Sequence, residues 1–209
     1  MTDDTDERSY YTHLVGIMLQ TRGVRFSVAE SEQKKEKFSI ATIALLSVYL
    51  AGWSLTASLF PEIFSSLQAR AISLISVVAS VSLLVMSLFD FAAGRSVYAE
   101  KMLQNAFSIT GILREAEREL AKAQPNYANI SKLAAQYEAS VHGVGVNHTS
   151  EDYKLWKLQR SSSKNRRHAV GIWVHAKVLR SFSFISAMMF QITILLLIFA
   201  STVGVVIFL

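Results

Sequence analysis

The sequence predicts an all-α integral membrane protein: a transmembrane helical hairpin, a cytoplasmic helical domain and a C-terminal third transmembrane helix. Three observations lead there. Uncharged residues gather in three blocks, 38–61, 71–89 and 181–209. Each matches the about 20 apolar residues of helix that cross a bilayer core roughly 30 Å thick. Between the blocks, apolar side chains recur at helical spacing, and no stretch alternates as a strand does. The composition agrees, with 51% hydrophobic and only 18% charged residues among 209, where a soluble domain carries about 25% charged.

Each element follows in order. Residues 1–9, with Asp3, Asp4, Asp6 and Glu7, read as a disordered acidic tail without the basic start of a signal peptide. Residues 10–37 are expected to form a cytoplasmic N-terminal helix, with Leu14, Ile17 and Met18 on one side and Arg22 and Arg25 interleaved. This helix either runs along the inner membrane surface or docks on the cytoplasmic domain. Residues 38–94 form the hairpin: span one stops at Pro61, and the connector to Arg70 is too short to fold. Span two meets no breaker before Gly94, so one long helix is expected to continue inward.

Residues 95–180 are the expected cytoplasmic helical domain. Its first helix places Met102, Ala106, Ile109, Leu113, Ala116 and Leu120 at alternating steps of 4 and 3, a seam of the coiled-coil type expected to join copies of the chain. Gln124-Pro125-Asn126 ends that helix, because proline lacks the amide donor and disfavours helix before it. Ile130, Leu133, Ala134 and Tyr137 mark a second helix. Thr149 or Ser150 can cap a third, whose first turn holds Glu151 and Asp152, where acids suit the helix dipole. Residues 181–209 form the third transmembrane helix, with anchoring as its expected role.

Charge sets the expected topology. The three polar pieces, residues 1–37, 62–70 and 90–180, carry net charges of −1, 0 and +6. Lys34, Lys35 and Lys37, Arg95 and Lys101, and Lys177 and Arg180 flank the spans, while Arg70 alone lies on the other side. Basic residues near span ends are retained in the cytoplasm. The N-terminus and central domain are therefore expected inside and the C-terminus outside. The chain has no cysteine, which excludes thiol catalysis and disulfides and suits a reducing compartment. The sequons at Asn129 and Asn147 fall on the cytoplasmic side and read as chance matches.

No enzyme is expected. The sequence holds no phosphate-binding glycine loop, no nucleophile elbow and no His-Glu-x-x-His. His142, His148 and Asp152 lie close together but lack a fourth metal ligand at a recognisable spacing, so no metal and no cofactor is predicted. The basic run Lys164–Arg167 suits anionic lipid head groups better than nucleic acid.

The informative pattern lies in the spans. Ala44, Ser47, Ala51, Ser54 and Ser58 share one face of span one, and Ser73, Ser76, Ser80 and Ser87 share one stripe of span two that extends to Asp90. Small residues let transmembrane helices approach closely, so the stripes suit the hairpin's own interface. A second reading has several hairpins turn the span-two stripe toward a wet pore, with Asp90 forming a cation-favouring ring at its inner mouth. Leu83 and Leu84 would then act as a hydrophobic gate.

From Tyr10 to Gln159 the chain resembles the SLATT proteins, two-transmembrane effector modules of bacterial conflict systems. The residues that carry the resemblance are Arg22-Gly23-Val24-Arg25-Phe26, the step Glu32–Lys37, Ala44–Leu50, Tyr137, Asn147-His148 and Asp152-Tyr153. The subfamily found beside reverse transcriptases is the nearest. The resemblance implies an oligomeric pore-forming or membrane-disrupting effector of the bacterial inner membrane, triggered by a partner encoded beside it during phage attack. Asn147, His148, Asp152 and Tyr153 are expected to hold a loop against the first cytoplasmic helix. The third span lies outside the region that resembles the family. The other reading is a non-conducting scaffold or sensor subunit whose cytoplasmic helices bind a partner.

Overall fold

The computed structural model describes residues 2–145, 149–164 and 169–208, and every regular element among them is helical. In chain order these are α1 (Thr2–Leu59), a 3-10 turn (Pro61–Ile63), α2 (Ser66–Ala93), α3 (Arg95–Leu120), α4 (Tyr127–Gly143), α5 (Ser150–Lys164) and α6 (Ala169–Phe208). They sort into two compact units. Met1–Gln33 joins Ser96–Arg180 in the first, and Lys34–Arg95 joins Ser181–Leu209 in the second.

The acidic start is helical from Thr2 rather than disordered. Asp6 and Glu7 lie near the start of α1, where the amino end of a helix favours negative charge. Arg8 ties this segment down by donating to the carbonyl of Leu120 at 3.3 Å. With no proline before Pro61, α1 runs through the position where an N-terminal helix and span one were expected as separate elements.

Two further boundaries follow from local chemistry. Ser65 caps α2 with a reciprocal pair of bonds: its hydroxyl accepts from the Gln68 amide at 3.2 Å, and Gln68 Oε1 accepts from the Ser65 amide at 2.9 Å. Such a box satisfies donors that a helix start otherwise leaves open. At the other end Gly94 adopts φ +57°, a left-handed conformation that glycine takes without the Cβ penalty. One residue therefore breaks the expected continuous helix into α2 and α3.

The first unit is built on α3. Met102, Ala106, Ile109, Leu113 and Ala116 are all fully buried. Ile109 and Leu113 pack with Met18 of α1 and Tyr137 of α4. Met102 packs with Val24, Val28 and Ala29 of α1, beneath Tyr153 and Trp156 of α5. Each large apolar side chain so buried contributes about 1.5–3 kcal/mol. This corrects the expectation that Met102, Ala106, Ile109, Leu113, Ala116 and Leu120 form a seam between copies. The heptad-like spacing is real, but helices of the same chain occupy it, and only Leu120 is left partly exposed.

Two contacts secure the periphery of this unit. Glu119 bridges the α3–α4 turn: Oε2 accepts from Lys122 Nζ at 2.6 Å and Oε1 from the Asn126 amide at 3.1 Å. These bonds, Lys122 first, hold its carboxyl below the ordinary carboxylate range. Gly23 faces Trp156 so closely that a Cβ there would lie 2.7 Å from indole Cε2. Only a residue without a side chain lets α5 seat at that turn of α1.

Two outcomes follow. A depressed folded-state pKa contributes stability above the unfolded value, and that contribution is lost as pH falls through the folded value. Native protein should therefore lose more stability than Glu119→Gln between about pH 6 and pH 3, read from urea midpoints. Gly23→Ala should destabilise the first unit by about 1–3 kcal/mol through overpacking and shift Trp156 fluorescence. Gly111→Ala, which meets nothing within 4 Å, should instead stabilise by about 0.5–1 kcal/mol.

Candidate functional site

The second unit is held by bulky side chains. Leu46 and Leu50 of α1, Ala79, Leu83 and Met86 of α2 and Ile198 of α6 form one buried cluster, with Ile43, Tyr49, Ile194 and Leu195 packed around it. Polar bonds register α6 against this core. Gln191 Nε2 donates to the Ser39 hydroxyl, Tyr49 and Thr202 share a hydrogen bond, and Gln68 Nε2 donates to the Val205 carbonyl at 3.4 Å. α6 is thus a structural wall of the unit and more than an anchor. Tyr49 lies within the Ala44–Leu50 stretch that carried the resemblance, but the sequence did not indicate that Tyr49 or Gln191 would bond across helices.

The small-residue stripes lie outside this core. Ala44, Ser47, Ala51, Ser54 and Ser58 are all exposed, so they do not form the hairpin's own interface. The reason is steric: Leu46 and Leu50 meet Leu83 and Met86, and side chains of that size hold the backbones apart. What results is an open groove of about 720 Å³ between α1 and α2. Ser47, Ala51 and Ser54 line one side, and Ser73, Ser76 and Ser80 line the other. Ala44, Ser58 and Ser87 lie beyond it. The hydroxyls of Ser47, Ser73 and Ser80 donate to the carbonyls of Ile43, Ala69 and Ser76, at 2.8, 2.9 and 2.7 Å. Their donors are satisfied within their own helices, and each oxygen keeps acceptor capacity.

Asp90 is not a free acid at the end of this stripe. Arg95 Nη1 lies 2.7 Å from its Oδ1, and both side chains are mostly buried. Arg95, counted earlier only as a flanking charge, neutralises it and also approaches Met188 Sδ at 3.9 Å. Leu83 belongs to the core and is 8% exposed, while its expected gate partner Leu84 is 62% exposed. Leu83 also lines the groove and Leu84 does not, so of the expected gate pair only Leu83 reaches the cleft.

In the first unit the residues that carried the resemblance serve structure. Tyr137 is buried and its hydroxyl shares a bond with Thr21 at 2.8 Å. Asp152 caps α5: its Oδ2 accepts from the amide and hydroxyl of Thr149 at 2.9 and 2.8 Å. Tyr153 donates to Gln20 Oε1 at 3.3 Å and packs beside Trp156. Asn147 and His148 lie outside the described residues. Arg25, also within the quoted stretch, is fully buried and donates to Asn105. Among the described residues no group of three or more His, Asp or Glu side chains gathers as a metal site would require.

Two helical stretches, Asp6–Leu59 and Ser66–Leu120, each contain a window long and apolar enough to cross a membrane. The model of the SMODS and SLOG-associating 2TM effector domain family 5 matches residues 8–208. The chain belongs to the SLATT family. The match extends through α6, so the third apolar helix lies inside the family's region and not outside it as expected; its packing against the hairpin gives that extension a physical basis. No curated protein and no solved structure matches this SLATT chain. Family membership makes it a membrane-associated effector domain with two apolar spans in all-helical surroundings.

The Asp90–Arg95 pair is open to a double-mutant cycle. Asp90→Ala alone should destabilise the detergent-solubilised protein, because it strands a largely buried guanidinium. Adding Arg95→Met should recover part of the loss, giving a coupling of about 0.5–3 kcal/mol by thermal unfolding.

Proposed function

We propose that this protein is a pore-forming effector of a bacterial anti-phage system, resident in the inner membrane. In this reading α6 is a third span, the first unit and the N-terminus face the cytoplasm and the C-terminus lies outside. This orientation rests on the basic residues flanking the spans. Copies assemble and turn their serine grooves toward a shared path. The observation that carries the reading is the groove itself, in which serines from two helices sit among Leu50, Val77, Val81 and Leu83. Around it the surface is aliphatic, with Leu45, Val48, Leu74 and Leu84 exposed, as suits lipid. Ions entering such a cleft would meet hydroxyl lone pairs and no fixed charge, since Asp90 is paired; the expected selectivity is weak. Because the α3 stripe is internal, assembly would run through the spans. The family description names SMODS and SLOG proteins as associates, so the trigger is expected from a neighbouring partner of that kind. A reverse-transcriptase partner, drawn from the resemblance alone, is the alternative. The protein needs no catalytic residue and no nucleic-acid contact to act in this way.

The scaffold reading is favoured by one observation. Ser47, Ser73 and Ser80 already bond to their own helices, so the groove tolerates lipid without loss of hydrogen bonds. Ion flux from liposomes separates the two. Native protein should release ions, and a correctly inserted Ser80→Leu, which fills the groove, should reduce the flux on the order of tenfold or more. Equal flux from both would remove the groove from the conduction path. An absence of flux from crosslinked oligomers with the partner added would favour the scaffold.

A further inference from the structure

Arg25 is the one fully buried arginine among the described residues. It shares the inward face of α1 with Met18, Thr21 and Val28, pointing between α3 and α4. Its single hydrogen bond runs from Nη1 to Asn105 Oδ1, and its Nε and Nη2 have no partner. Asn105 is held in turn: its Nδ2 donates to the carbonyl and hydroxyl of Ser140 at 2.6 and 2.9 Å. The hydroxyls of Tyr137 and Tyr98 also act on Arg25 electrostatically. Tyr137 is already bonded to Thr21. Asp152 and Glu32 act on Tyr98, and Asp152 Oδ2 is engaged in capping α5. Burial pushes the guanidinium below its ordinary pKa, opposed by Tyr137 and Tyr98.

A cation taken out of water, with two of three nitrogens unbonded and a neutral partner on the third, bears its desolvation cost with little compensation. The apolar inward residues along this seam, Met18, Ile109 and Leu113, favour the closed bundle. Arg25 opposes them, and it regains its hydration only when α1 separates from α3 and α4. We propose that Arg25 is a built-in destabilising pin that keeps the α1–α3–α4 core poised to open, and that this opening belongs to the activation of the effector. The second clause rests on the effector reading; the first does not.

Hydrogen exchange of the full-length chain in detergent, followed in peptides covering Leu14–Ala29, tests the pin. Arg25→Met keeps the reach and removes the charge; it should slow opening about tenfold. Arg25→Lys, which keeps the charge, should not slow it. Asn105→Leu removes the one partner and should accelerate opening by at least about tenfold. The double variant Arg25→Met/Asn105→Leu replaces both groups with apolar ones and should open more slowly than native protein even if Arg25→Met alone packs poorly. Exchange in the double variant that equals or exceeds the native rate overturns the proposal, since the guanidinium would then stabilise the bundle. Growth arrest on overproduction tests the regulatory clause. At equal membrane levels the slow-opening variant should arrest cells less than native protein. Undiminished arrest removes opening from activation. If native protein itself neither arrests cells nor leaks ions, the effector reading falls, and the exchange rates still decide the pin.

Discussion

The second unit depends on the contact of Leu46 and Leu50 with Leu83 and Met86, closed on its third side by Ile198. Side chains of this size keep α1 and α2 too far apart for their small residues to meet. The serines and alanines are thereby displaced to the outer face, where they line a cleft instead of a helix–helix contact. In lipid, apolar burial gives helices little reason to associate, so packing and hydrogen bonds must do it. The bulky cluster supplies the packing, and Gln191, Tyr49 and Gln68 supply the bonds that set α6 in register.

The first unit obeys different physics. There α3 offers one apolar face, and α1, α4 and α5 cover it, so its core forms by ordinary burial. Polar groups enter that core at a few points only. Glu119 and Asp152 secure turns and caps at its edge, while Arg25 and Asn105 sit inside it. Groups at the edge can be satisfied by backbone amides and water; a guanidinium inside has only what its neighbours offer. This difference separates contacts that fasten the unit from one that loads it.

In this SLATT chain the serine-lined cleft and the buried Arg25 lie in different units, built from different parts of the same chain. The neutralisation of Asp90 by Arg95 also changes the chemistry expected of the cleft. A ring of unpaired carboxylates would select cations strongly, whereas paired charges leave hydroxyl dipoles as the only polar lining.

The helical class, two apolar spans, a cap for α5 at Thr149 or Ser150 and the end of α3 before Pro125 were legible in the order of residues. Periodicity, proline and capping chemistry act between near neighbours, so the chain order carries them. The α3 spacing likewise announced a buried stripe, and the serine spacing announced a polar face. What covers the first and what leaves the second open were decided only by tertiary structure. A stripe at heptad-like spacing is the same whether its partner is another copy or Met18 and Tyr137. A small-residue face packs or stays open according to the size of residues on the adjoining face. The pairing of Asp90 and the isolation of Arg25 belong to the same class, because a charge's partner is fixed by what the fold brings within reach and not by its neighbours in the chain.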